Sequence, residues 1–479
     1  MSWCDGWAWL GGAQIVDQTS TRQYPGGRSG ASTWHDCNLN LTWVFGGKGF
    51  SDLPSGKPHL LDDLWLFNLN STSQSKERLD FFVKIGPGAF TESPKQVVQP
   101  WPTSRHHASM CGFADTLILF GGLGKNGVGL DDLWILNLRA KTWRQLFKKG
   151  PSARGHPGLW CFGSFMFIFG GVDKGQILDD MWKFNLITLE WTLLQPLSVD
   201  MEFPGKAYLP VGRNGPATWI SGEAFYMFGG NAAPSFSYSL QQVEGLVSDL
   251  WRYFPCNSTW DHVKGPVKTN HKKVHAHFRK HSDNNTPGPR IGAGSWLDSS
   301  GNLWLFGGAG HDTHPTTANE HSQVLSDIWR FNTKLKTWAF IGGPRESGKA
   351  GVYKSFGKET EDGLPGGRTE MMVFPGSSDK IYIFGGVGHG GRKVGGFLND
   401  LWSVDVSSIL SDQYGISAWS LLLFLGVCIS LLMSGFIIGF SSRPDKDSSF
   451  INRRLLTKVR SGSGTSDHQY QRLQTGSDF

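Results

Sequence analysis

Apolar residues along the chain gather into short runs without polar alternation, and each run ends in a glycine pair. These are Trp-Val-Phe-Gly-Gly at 43–47, Leu-Ile-Leu-Phe-Gly-Gly at 117–122, Phe-Ile-Phe-Gly-Gly at 167–171, Tyr-Met-Phe-Gly-Gly at 226–230, Leu-Trp-Leu-Phe-Gly-Gly at 303–308 and Ile-Tyr-Ile-Phe-Gly-Gly at 381–386. Runs of this length and uniform apolarity predict strands packed on both faces. A glycine pair at the end predicts a sharp turn or a close backbone approach that a Cβ would block. Upstream of each run stands Pro-x-x-Arg, ending at Arg28, Arg105, Arg154, Arg213, Arg290 and Arg368. Downstream stands Asp, then Leu, Met or Ile, then Trp: Asp63 to Trp65, Asp132 to Trp134, Asp180 to Trp182, Asp249 to Trp251, Asp327 to Trp329 and Asp400 to Trp402.

In four copies a second tryptophan follows the first by nine positions, at Trp143, Trp191, Trp260 and Trp338. Each repeat therefore reads as four short strands: an inner one after the arginine, the apolar one, one through the first Trp and an outer one through the second. The first repeat lacks the second Trp, and Asp80-Phe81-Phe82-Val83 is expected to supply its outer strand. The sixth ends at Trp402-Ser-Val-Asp-Val with no outer strand of its own. Trp7-Ala-Trp-Leu precedes the first Pro-x-x-Arg as Trp191-Thr-Leu-Leu precedes its own, so residues 5–10 are expected to complete the sixth unit and remove an exposed edge.

The double glycine with two spaced aromatics resembles the Kelch repeat, and the resemblance covers residues 1–406. It implies an all-β fold: a six-bladed Kelch β-propeller of four-stranded blades around a central channel, closed by the N-terminal strand. The repeats fall near 25–83, 102–147, 151–195, 210–264, 287–342 and 365–406.

In such a blade the connections between strands two and three share one face with the links to the next blade. Those connections are the variable ones here: between Gly-Gly and Trp lie 10 or 11 residues in the second and third repeats but 20 in the fourth and fifth. Insertions collected on one face mark it as the expected binding face for a protein or glycan. The link after Trp260 is basic there, with Lys272, Lys273, Arg279 and Lys280 as candidate ligand contacts, although its polarity favours a flexible solvated insertion. Arg28, Arg105, Arg154, Arg213, Arg290 and Arg368 stand at the strand starts on that face. By position they match arginines that grip acidic peptides in some Kelch domains. Their occurrence in every repeat favours an internal role, each bonded to a carbonyl or to the Asp of Asp-Leu-Trp. His311, Asp312, His314 and His321 form a loose His/Asp cluster, but without ligands from a second loop no metal site is expected, and no cofactor.

Composition narrows the classes. Glycine (63) and tryptophan (21) are abundant and charged residues few (18 %), which suits a turn-dense β fold, and a net charge of +6 does not point to a nucleic-acid binder. Six cysteines without a C-x-x-C pair indicate neither a zinc site nor a disulfide framework. There is no G-x-S-x-G elbow, P-loop or H-E-x-x-H, and the Tyr/His set of the copper-oxidase propellers cannot be assembled, so the chain is expected not to be an enzyme.

Residues 416–440 carry no charge, and 25 residues span about 37 Å as a helix, enough for a hydrocarbon core of about 30 Å. Arg443, Lys446, Arg453, Arg454, Lys458 and Arg460 follow it, while 405–417 has no Lys or Arg, so the tail 441–479 is expected to be cytosolic and disordered and the propeller lumenal or extracellular. Sequons at Asn40, Asn70, Asn257 and Asn284 fall at predicted turns or loops. Residues 1–20 show no basic start with an apolar run, so this topology expects a leader ahead of Met1; a membrane-anchored cytosolic scaffold is the alternative, and a carbohydrate-active propeller enzyme the second. Tyr470-Gln-Arg-Leu473 resembles the Y-x-x-Φ signal read by clathrin adaptors, with Tyr470 and Leu473 as its anchors.

Overall fold

A computed structural model of the chain describes residues 7–407, except 22–23, 53–55, 69–80, 87–99, 196–208, 237–241, 267–272, 312–322, 361, 377–378 and 393. The described residues are almost wholly antiparallel β-structure; one short 3₁₀ turn, Lys125–Gly127, is the helical element with caps. No helix among them is long and apolar enough to cross a membrane. The 416–440 segment, the tail with Tyr470 and Leu473, and Asn70 lie outside them.

The repeats become four-stranded sheets. The first comprises Ser32–Asp36, Leu41–Gly49, His59–Asn68 and Phe82–Gly86; the second Ser109–Phe113, Thr116–Phe120, Leu133–Asn137 and Thr142–Leu146. The third comprises Gly158–Phe162, Phe165–Phe169, Met181–Asn185 and Glu190–Gln195; the fourth Ala217–Ser221, Ala224–Phe228, Leu250–Phe254 and Thr259–Lys264. The fifth comprises Gly294–Leu297, Leu303–Phe306, Ile328–Asn332 and Thr337–Gly342. In the last, Met372–Pro375, Lys380–Phe384 and Leu401–Asp405 are joined by Trp7–Gly11, which pairs Trp7 with Val404 and Ala8 with Ser403.

Apolar clusters lie between consecutive sheets, and another lies between the last sheet and the first, around Val44, Trp65, Phe67, Phe374 and Phe384. One contact recurs at each junction. The outer-strand aromatic of each sheet packs on the Phe preceding Gly-Gly of the sheet before: Trp143 on Phe45 at 5.7 Å, Trp191 on Phe120 at 4.9 Å, Trp260 on Phe169 and Trp338 on Phe228 at 5.3 Å. Trp7 on Phe306 (5.5 Å) and Phe82 on Phe384 (4.9 Å) occupy the same place in the last and first sheets. Phe82 thus does in the first sheet what the second Trp does elsewhere, at 17 positions after Trp65 instead of nine. Aromatic pairs of this geometry add about 0.5–1.5 kcal/mol beyond the area they bury.

The polar motif residues cement each sheet to itself. Every motif arginine is at most 1 % exposed and forms an ion pair of 2.5–2.7 Å with the Asp of its own Asp-x-Trp. The same guanidinium donates to the carbonyl of the first glycine of the pair at 2.9–3.1 Å. The tryptophan two residues after the Asp donates its indole N–H to the carboxylate at 2.6–2.9 Å. A buried carboxylate so fully bonded stays ionised: burial would raise Asp249, but Arg213 and the Trp251 N–H hold it below its ordinary value.

Candidate functional site

Two residues beyond each motif arginine the chain turns into the inner strand, and this position is Gly30, His107, His156, Gly215, Gly292 or Glu370. All adopt φ between +55° and +65°, the left-handed region that glycine enters freely and other residues only at a cost. The cause is a belt of backbone hydrogen bonds. His107 N–H donates to Gly30 O (2.7 Å), His156 to His107 O (2.8 Å), Gly215 to His156 O (2.8 Å), Gly292 to Gly215 O (3.0 Å), Glu370 to Gly292 O (2.8 Å) and Gly30 to Glu370 O (3.1 Å). The bonds visit the repeats in order and return to the first.

Only three of these positions carry side chains, and the glycines make room for them. A Cβ on Gly30 would stand 2.5 Å from His107 Nε2, one on Gly215 2.6 Å from the His156 ring, and one on Gly292 3.1 Å from Glu370 Cγ. The imidazoles of His107 and His156 stack with centroids 3.8 Å apart and planes 6° apart. Glu370 Oε2 lies 3.4 Å from His107 Nε2. Below them opens a cavity of about 200 Å³ lined by small and apolar residues such as Ala31, Ala108, Leu159 and Met371.

The electrostatics follow from this crowding. Burial, reinforced by the neighbouring His107, pushes His156 down to about 3, so its imidazole is neutral at physiological pH. Burial would raise Glu370, but His107, with His156 and the Ser29 side chain, holds its carboxyl below the usual carboxylate range. Neutral imidazole and ionised carboxylate are the forms in which such side chains ligate metals.

The basic candidates are placed elsewhere. The six arginines point into the sheets, each paired with the aspartate of its own repeat. Lys272 lies outside the described residues. Lys273 is buried, near enough to Asp327 to help hold that carboxyl down. Arg279 is half-buried over the Phe278 ring, and Lys280 is exposed. Residues 273–290 keep Ala276, His277, Lys280, Asp283 and Asn284 exposed, yet the segment lies against the outer strand of the fifth sheet: Phe278 bridges to Phe340 and Ser282 to Trp338. Asn285 fastens this cover, accepting from the N–H of Ala276 and His277 and donating to the carbonyls of His277, Lys280 and Trp338. His275 stacks on Trp329 (5.1 Å), and burial lowers it to about 4. The segment is polar in sequence because its polar groups bond to one another.

Asn257 and Asn284 are exposed at turns, and Asn40 is half-exposed at another with φ +53°. Of the His/Asp cluster after Gly310, His311 is described and Asp312, His314 and His321 are not. The His107, His156 and Glu370 group was not singled out from the sequence. The available signal was the residue two places after each motif arginine, glycine in three repeats and titratable in three.

Each connection between second and third strands rises past its glycine pair as a hairpin or bridged turn. In the first sheet Gly47–Gly49 pairs with residues 59–61, and in the second Leu123 bridges Gly129. Val172–Asp173 pairs with Gln176–Ile177, Asn231–Phe236 with Gln242–Leu246, Ala309–Gly310 with Gln323–Val324, and Val387–His389 with Gly395–Phe397. They stand around the belt on the arginine side.

Residues 88–278 match the KLHDC2/KLHL20/DRC7 Kelch-repeats domain family, so this stretch carries Kelch repeats of a β-propeller. No curated protein matches the chain in sequence at a significant level.

Proposed function

We propose that these Kelch repeats belong to a closed, six-bladed, non-catalytic β-propeller that binds a protein partner on the face where the hairpins stand. Closure is supported by the Trp7–Gly11 pairing with Leu401–Asp405 and by the inner strands, which touch in sequence from Ser32–Asp36 round to Met372–Pro375 and back to the first. The observation that carries the functional reading is the set of hairpins around the axial belt. It sets the variable connections on hydrogen-bonded strand pairs, the arrangement by which repeat folds present variable residues to other proteins. Photo-crosslinking tests it. Benzoylphenylalanine at Lys125 or Lys174, exposed at turns on the hairpin face, should give discrete protein adducts in cells, while the same group at Asp115 or Lys334, exposed on the opposite turns, should not. Equal adducts from both faces, or adducts from the opposite face alone, would refute the assignment.

The propeller is further proposed to be lumenal or extracellular, anchored by residues 416–440. The exposed settings of Asn257 and Asn284 support this. A glycosidase mobility shift that disappears when the sequon asparagines become glutamine is the expected result; its absence in a membrane-bound protein would favour the cytosolic scaffold.

A further inference from the structure

We infer that His107, His156 and Glu370 form a binding site for a divalent transition metal, Zn²⁺ by ligand type, at the mouth of the axial channel. The ligand atoms of the three residues lie within 4.8 Å of one another, and His107 Nε2 and Glu370 Oε2 are already 3.4 Å apart. A tetrahedral zinc with bonds of about 2.0–2.1 Å spaces its ligand atoms by about 3.3–3.5 Å, so the His107–Glu370 pair is at the required separation, while the His156 ring must turn out of its stack on His107 to aim its in-plane lone pair at the same ion. Two imidazoles and a carboxylate are a ligand set suited to zinc, with the fourth position open to the cavity of about 200 Å³.

Several independent features converge on these three side chains. His107 Nε2 is buried and faces the Glu370 carboxylate at 3.4 Å. The Ser29 side chain bonds the Glu370 carboxylate, the kind of outer contact that orients a ligating group. Among the described residues no lysine or arginine lines the cavity. The three ligands also sit in left-handed backbone, which disfavours side chains, where the equivalent positions of the other repeats carry glycine. Strain of this kind at three neighbouring titratable groups is what a functional site stores.

The same comparison supplies the test. Glycine is accepted at Gly30, Gly215 and Gly292, so His107→Gly, His156→Gly and Glu370→Gly remove a ligand, relieve strain and keep the fold, as an unchanged circular dichroism spectrum and melting point in EDTA will show. Full-length protein titrated with Zn²⁺ against a chromogenic chelator should bind one ion per chain at this site. The His107→Gly/His156→Gly variant should bind it at least about 100-fold more weakly. Co²⁺ in place of Zn²⁺ should give the intense visible absorption of a tetrahedral site, lost in the variants. Zinc binding that is unchanged in all three variants would assign the ion to other histidines and overturn the inference. So would no binding by the wild type, which would leave a His107–Glu370 ion pair alone.

Discussion

Replacing Arg213 with methionine, which has similar reach and no charge, isolates what the repeated Arg–Asp pair contributes. Arg213 and Asp249 are both fully buried and joined by two bonds of 2.7 and 2.9 Å; the guanidinium also serves the carbonyls of Gly229 and Val211 at 3.1 Å. Without it Asp249 keeps only the Trp251 N–H at 2.6 Å, and two buried carbonyls lose donors. Breaking a buried pair in this way costs about 3–5 kcal/mol. Unfolding entropy of about 2.1 cal/mol/K per residue over about 400 residues is about 0.84 kcal/mol/K, so a loss near 4 kcal/mol lowers Tm by about 5 °C. The pH dependence gives a second signature. In the wild type the Asp249 pKa is depressed, so its stabilisation is present above the unfolded value near 3.9 and is lost as pH falls through the folded one. In Arg213→Met burial is unopposed and raises the carboxyl, so the deficit is largest at neutral pH and shrinks as pH falls toward about 4. Removing the charge as well, in Arg213→Met/Asp249→Leu, should restore most of the stability. Thermal melts followed by tryptophan fluorescence between pH 4 and 8 read all of this. A Tm change under about 1 °C, or a deficit independent of pH, would refute the view that these pairs cement the repeat.

Two further perturbations follow from local geometry. Gly385 has φ +65° and a Cβ there would stand 2.8 Å from Arg28 O and 2.9 Å from Leu398 O, both backbone atoms, so Gly385→Ala should cost about 2–4 kcal/mol and lower Tm by about 2–5 °C; an unchanged melt would mean the close approach is absent. Asn285→Ala removes four bonds that brace the 273–290 segment internally and one that ties it to Trp338 of the fifth sheet, and should accelerate amide exchange of that segment by about 30–100-fold while the sheets themselves exchange as before; a uniform increase would place the effect in global stability instead.

The elements that were legible in the sequence are those whose physics is local and repeated. Phe-Gly-Gly marks the second strand because the first glycine of the pair faces the arginine carbonyl of the next repeat, with Gly46 meeting Arg105 O and Gly385 meeting Arg28 O. Asp-x-Trp marks the third strand because the indole bonds its own carboxylate. Trp7 could be read as an outer-strand residue because its run repeats the pattern at Trp191. What was not legible depends on partners distant in the chain. Residues 273–290 look solvated until Asn285 is seen to bond Trp338 O, 53 residues away. The channel group escaped notice because His107, His156 and Glu370 meet only through a belt spanning all the repeats, and none lies in a recognisable ligand spacing.

The proposed closure of the ring through the N-terminal strand underlies the functional reading, and one measurement reaches it directly. Ala8 and Ser403 face each other across the pairing of Trp7–Gly11 with Leu401–Asp405, both buried. With Ala8→Cys and Ser403→Cys in the full-length protein, mild oxidation followed by peptide mapping should find these two positions linked in nearly every molecule, with an unchanged or raised Tm. Two free thiols at these positions in a protein that remains folded would contradict closure.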